Sequence, residues 1–215
     1  MEDGTVLQGW LLKRAVTEPG PLVILFYGQA GEASRYVDMA DRLQRWSTAI
    51  VNYRGYGLSE GKPSAERLLN DALTVFDLLS QREDVNAERI VTMGGSLGSG
   101  IALYTAAKRP AAGVVVFSPY DTIVGGVTKD LVPLLPTEYI FRQDFDIAAE
   151  AAAVQVPVWA VIGMQDTVIR PERSEAILGT IPSTVYVQRI EDGDHYSIYD
   201  DDNVWVNLNA FLRVF

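Results

Sequence analysis

Short runs of aliphatic and β-branched residues alternate with longer segments of helical spacing along almost the whole of this chain. Val6 to Lys13 reads as a strand. Pro21 to Tyr27 is a continuous apolar run, the pattern of a strand covered on both faces. Ala33 to Arg45 has helical spacing, with Tyr36, Val37, Ala40 and Leu43 on one side. Thr48 to Asn52 is a strand, and Ser64 to Gln81 a helix with Leu68, Leu69, Ala72, Val75, Phe76 and Leu79 as its apolar stripe. The rhythm continues through strands at Arg89 to Met93, Gly113 to Phe117, Val156 to Ile162 and Thr184 to Ile190. Helices follow at Leu97 to Lys108, Glu172 to Leu178 and Asn203 to Val214. Such alternation predicts an α/β fold, a mostly parallel, doubly wound sheet with helices on both faces. Sheets of this kind bind ligands at the carboxyl ends of their strands. Candidate functional residues are therefore judged by whether they follow a strand. Residues 1–215 read as a single domain, because no linker or repeat interrupts them. The proline-bearing stretch 118–149 breaks the rhythm and reads as a short excursion over the carboxyl edge of the sheet.

Gly94-Gly95-Ser96-Leu97-Gly98 fits G-x-S-x-G. The pattern alone is weak, but here it follows a strand and opens a helix, the setting in which a serine is held on a sharp turn with its Oγ exposed. Glycines are needed because side chains at Gly94 and Gly98 would collide with the neighbouring strand and helix. The Leu97 N–H stands at a helix N-terminus, where it can donate to an oxyanion. Otherwise the motif would be a Gly-rich turn that packs a helix closely on the sheet.

A serine hydroxyl needs a base to take its proton, and histidine is the usual one. The chain has one histidine, His195, and it lies just past the last strand. Asp166 follows the strand Val156 to Ile162 and could hold the imidazole in its working tautomer. Asp144, Asp146, Asp192 and Asp194 are rivals, the last two too close to His195 in sequence to approach its ring well. The order serine, acid, histidine is that of a G-x-S-x-G nucleophile built on a parallel sheet. Tyr27-Gly28-Gln29-Ala30-Gly31 gives a glycine-bearing turn after another strand, with Gln29 as the candidate second oxyanion donor.

Composition removes several alternatives. The chain lacks cysteine, so disulfides, thiolate metal sites and cysteine nucleophiles are excluded. A single histidine excludes a multi-histidine metal site. The formal net charge of -10 disfavours nucleic acid and anionic membrane as partners. No dinucleotide fingerprint or phosphate-binding P-loop motif occurs. The start, Met1-Glu2-Asp3-Gly4, has no basic or apolar leader pattern, so a cytoplasmic chain is expected. No cofactor and no metal are expected, and the partner expected is a small-molecule ester or acyl substrate.

Together these segments resemble the α/β-hydrolase superfamily, in its branch of small serine hydrolases with a minimal cap. The resemblance rests on Tyr27 to Gly31, Asn52-Tyr53-Arg54-Gly55-Tyr56-Gly57-Leu58-Ser59, Gly94 to Gly98, Gly163-Met164-Gln165-Asp166 and Gly193-Asp194-His195. Ser118-Pro119-Tyr120-Asp121 is similar to the same branch. It implies nucleophile Ser96, acid Asp166, base His195, oxyanion donors Gln29 and Leu97, and cleavage of carboxylic esters, thioesters or amides through an acyl-enzyme. Two departures stand out: Tyr27 occupies the place where the branch usually carries histidine, and little chain precedes Val6 for the fold's first strands. The alternative is a non-catalytic binding or scaffold protein on the same fold.

Overall fold

The run Gly20–Phe26 has no polar face, and in the structure it forms β2, buried along its whole length. This computed structural model describes residues 1–14, 19–28, 32–122 and 147–215. β1 (Gly9–Leu12), β3 (Ser47–Val51), β4 (Val85–Gly95), β5 (Gly113–Phe117), β6 (Val158–Gly163) and β7 (Val185–Ile190) complete the strands among the described residues. They form one sheet of order β1-β3-β2-β4-β5-β6-β7. Only β1 runs antiparallel, against β3; every other pair is parallel. Parallel neighbours need crossover connections, which the helical segments supply.

α1 (Ala65–Ser80) starts where Ser64 accepts the Arg67 N–H, and it buries Leu68, Ala72, Val75 and Phe76 on one face. α2 (Leu97–Lys108) is buried nearly all round, from Gly98 through Leu103 and again at Thr105 and Ala106. Its small residues let it lie close on β4 and β5, with α1 and the short α3 (Ala148–Ala151) against it. α4 (Pro171–Leu178) begins with proline, whose missing N–H costs nothing in a first helical turn. α5 (Asp202–Leu212) is capped by the Asp201 carboxylate and packs on β6.

The observed elements differ from the sequence reading in one instructive place. Ala33 to Arg45 is not one α-helix but two 3-10 helices, Ala33–Tyr36 and Asp38–Leu43. The Ala40 carbonyl, which an α-helix would offer to the Gln44 N–H, accepts instead from the Arg14 guanidinium. At its other end, the Ala33 N–H is held by Asn52 Oδ1 at 2.7 Å. With that carbonyl taken, the segment closes through i→i+3 bonds, such as Ala40 N–H to Val37 O at 3.1 Å. The predicted cap lies largely within 123–146, outside the described residues.

Candidate active site

β2, β4, β5, β6 and β7 lie side by side in that order and run parallel. The residues just past their carboxyl ends therefore share one edge: Tyr27 and Gly28, Ser96, Ser118, Asp166 and His195.

Ser96 directly follows β4 and caps α2 with φ 51° and ψ -124°, a conformation a non-glycine residue adopts only under constraint. The constraint is visible. Its N–H donates to Phe117 O on β5 at 3.0 Å, and its carbonyl accepts from Ser99 N–H at 2.8 Å and Ser99 Oγ at 2.6 Å. Two glycines around it, Gly94 and Gly98, are sterically required. A methyl at Gly94 would sit 2.8 Å from Ser99 N and one at Gly98 2.8 Å from Tyr27 O, both backbone atoms. Leu97, the first residue of α2, carries one of the N–H groups that has no partner inside a helix. Gly28 approaches from β2: a Cβ there would lie 3.6 Å from Ser96 Cβ.

His195 and Asp166 come from two loops that clasp each other. Met164 N–H donates to Ile190 O and Gln165 N–H to Gly193 O, each at 2.9 Å. The clasp sets His195 Nδ1 2.7 Å from Asp166 Oδ2. The other carboxylate oxygen accepts the N–H groups of Val168 and Ile169, both at 2.8 Å. Burial pushes the Asp166 pKa up, but the hydrogen bonds from His195 and Ser118 outweigh it and hold the carboxyl below its ordinary value. Asp166 is thus a buried carboxylate kept ionised by its donors. Of its rivals, Asp194 spends Oδ1 on the N–H groups of Tyr196 and Ser197, and Asp192 is exposed. Asp144 and Asp146 lie outside the described residues, as does Gln29. Among the described residues, no group of three or more His, Cys, Asp or Glu side chains could hold a metal ion.

Two residues here carried no role in the sequence reading. Ser118, 1% exposed, donates its hydroxyl to Asp166 Oδ2 at 2.7 Å. Its signal was its place directly after β5, between the strands that carry Ser96 and Asp166. Asn52, fully buried, accepts from Tyr27 Oη at 3.3 Å and from Ala33 N–H at 2.7 Å, so it ties the two sides of the glycine turn together. Tyr27 does more than fill a histidine's place. Its ring stacks on Tyr53 at 4.3 Å and Tyr36 at 5.4 Å, its hydroxyl accepts the Tyr53 N–H, and its carbonyl accepts from Tyr53 Oη at 2.7 Å. Burial pushes its phenol pKa up to about 12, so it serves as a neutral hydrogen-bonding group.

Residues 17–135 match the family described as serine aminopeptidase, S33. An uncharacterized protein of Mycobacterium tuberculosis is 32% identical over 181 residues, covering 82% of this chain. The alpha/beta hydrolase domain-containing protein WAV2 of Arabidopsis thaliana is 26% identical over 188 residues, covering 79% of this chain. The chain spans 63% of the mycobacterial relative's length and 60% of the plant relative's. Among solved structures, the Pyrococcus furiosus esterase Pf2001 has TM-score 0.79 and 18% identity, covering 100% of this chain and 89% of that one. An acetyl xylan esterase from Paenibacillus sp. R4 has TM-score 0.76 and 19% identity, covering 99% and 81%. At these identities the two structures establish the fold alone. No helix among the described residues is long and apolar enough to cross a membrane. With its parallel sheet, its strand–serine–helix turn and more than half its length matched, the chain belongs to the serine aminopeptidase S33 family of the α/β-hydrolase superfamily.

Proposed function

We propose that the chain is a serine hydrolase that cleaves carboxylic esters through an acyl-enzyme. Ser96 is the nucleophile, His195 the general base, Asp166 the acid that orients it, and the N–H groups of Leu97 and Gln29 the oxyanion donors. One observation carries the reading. The only histidine of the chain is hydrogen-bonded through Nδ1 to a buried carboxylate, on the same sheet edge as a serine held at φ 51°. With Nδ1 committed to Asp166, Nε2 is the nitrogen left to take a proton.

In the first half-reaction Ser96 Oγ attacks the ester carbonyl carbon while its proton passes to His195 Nε2. The tetrahedral oxyanion is stabilised by backbone N–H donors. It collapses by breaking the bond to the alkoxy group, which leaves with the proton from His195. In the second, water attacks the acyl carbon, gives a proton to His195, and Ser96 is released when that proton returns to its Oγ. Protein groups supply every proton transfer, and no cofactor is called for. Esters are favoured over amides because the poorer amine leaving group asks more of the site. Thioesters fit the same chemistry.

A fluorophosphonate probe, with the labelled peptide located by mass spectrometry, tests the reading. Labelling at Ser96 that Ser96→Ala abolishes is the expected result. Turnover of p-nitrophenyl acetate should fall on the order of a thousandfold or more in that variant. A folded protein that neither labels nor turns over would overturn the reading in favour of a binding role.

A further inference from the structure

Among the described residues three non-glycine positions have positive φ: Gln44, Ser96 and Ser118. Ser96 and Ser118 directly follow adjacent parallel strands, β4 and β5. Ser96 has a proposed role that accounts for its strain. Ser118, at φ 43° and 1% exposed, does not. Glycine would sit there without cost, so a serine at this point is held for its hydroxyl or is simply a liability.

The hydroxyl is engaged. Ser118 Oγ donates to Asp166 Oδ2 at 2.7 Å, the same oxygen that faces His195 Nδ1 at 2.7 Å. Ser118 N–H donates to Val161 O at 2.9 Å, which pins the serine to the strand that leads to Asp166. The carboxylate then has four donors: Val168 N–H and Ile169 N–H on Oδ1, Ser118 and His195 on Oδ2. The two backbone donors hold one oxygen, but a carboxylate gripped at one oxygen can still turn about that grip. A second donor on Oδ2, from a residue anchored across β5 and β6, removes that freedom.

We infer that Ser118 is a positioning residue: its hydroxyl locks the plane of the Asp166 carboxylate so that Oδ2 meets His195 Nδ1. The inference rests on the proposed Ser96–His195–Asp166 mechanism. Ser118 never touches substrate; it acts through Asp166. The hydroxyl is presented from a strained backbone, φ 43°, that the Ser118 N–H bond to Val161 O anchors to β6.

Two variants separate positioning from mere packing. Ser118→Ala keeps a Cβ at positive φ and loses the hydroxyl. Ser118→Gly loses the hydroxyl and also relieves the backbone. The glycine variant should therefore melt at a higher temperature than the alanine variant. If positioning is the role, both lose the same activity: kcat for p-nitrophenyl acetate falls about tenfold, as loss of one buried hydrogen bond to a charge implies, with KM changed less than about twofold. If the role is packing, activity follows stability and the glycine variant keeps nearly wild-type kcat.

A second readout is free of turnover. His195 is the only histidine, so 15N-histidine labelling gives a single imidazole to observe. Its Nδ1–H should appear as a protected low-field proton in the wild type and should shift upfield and broaden in both variants. An unchanged imidazole signal together with wild-type kcat in both variants would overturn the inference while leaving the triad intact. Absence of fluorophosphonate labelling in the wild type would instead sink the triad, and the imidazole signal would then decide the positioning role by itself.

Discussion

Gly98→Ala is the substitution on which the active-site geometry depends most directly. A Cβ at Gly98 would lie 2.5 Å from the carbonyl carbon of Phe26 and 2.8 Å from Tyr27 O. Both neighbours are backbone, so no side-chain rotation can relieve the contact. Ordinary carbon contacts begin near about 3.5 Å, so α2 and the end of β2 must part by about 1 Å. Overpacking that forces backbone apart costs about 3 kcal/mol, which in a domain of this size lowers the melting temperature by about 6 to 12 °C. The catalytic cost is separate. Gly98 sits two residues after Ser96, and Tyr27 and Gly28 directly follow β2 beside it, so the displacement would separate the proposed nucleophile Ser96 from the end of β2. A misplacement of about 1 Å costs on the order of a hundredfold in rate. The assay is p-nitrophenyl acetate turnover well below the melting transition, beside a thermal melt. Gly179→Ala is the control, because a Cβ there meets nothing nearer than 3.4 Å. Near-normal turnover and an unchanged melt for Gly98→Ala would refute the steric account of the turn.

Other expectations follow from buried polar groups. Arg54, 6% exposed, is paired with Asp71, itself 6% exposed, and with Asp3. Arg54→Ala strands the Asp71 charge and should cost about 3 to 5 kcal/mol in urea unfolding. Arg82→Ala, which removes a surface partner of Asp84, should cost less than about 1 kcal/mol. Asn52→Ala deprives Ala33 N–H and Tyr27 Oη of their acceptor and should cost about 2 to 3 kcal/mol, with kcat reduced more than KM is raised; unaltered turnover would count against a clamp on the glycine turn. Asp166 has a lowered folded pKa, so the stability it contributes is complete above its unfolded value of about 3.9 and is lost as pH falls through the lower folded value. Asp166→Asn should therefore flatten the fall of the urea midpoint below about pH 4, and reduce turnover on the order of a hundredfold or more at neutral pH.

Much of this molecule was legible in the order of its residues. Hydrophobic period and β-branched runs are local properties, and they marked each strand of the sheet; α2 and β5 emerge over the spans expected of them. The serine turn was legible because its glycines answer to collisions within a few residues and with the adjoining strand. Ser96 and His195 declared themselves as candidates by type and by position after a strand. What tertiary structure alone decided is which groups touch. Asp166 meets His195 across a separation of 29 residues because the loops after β6 and β7 clasp, while Asp194, the acid beside His195 in sequence, is spent on the turn that carries it. Ser118 meets Asp166 across 48 residues, and Tyr27 meets Asn52 across 25, because their strands are neighbours or near neighbours in the sheet. Even the loss of an α-helix at Ala33 to Arg45 answers to a residue outside it, Arg14, whose guanidinium takes the Ala40 carbonyl. Local sterics and periodicity are written in adjacent residues. Strand adjacency is a property of the packed sheet, and it set the partners of His195, Ser118 and Tyr27 at this site.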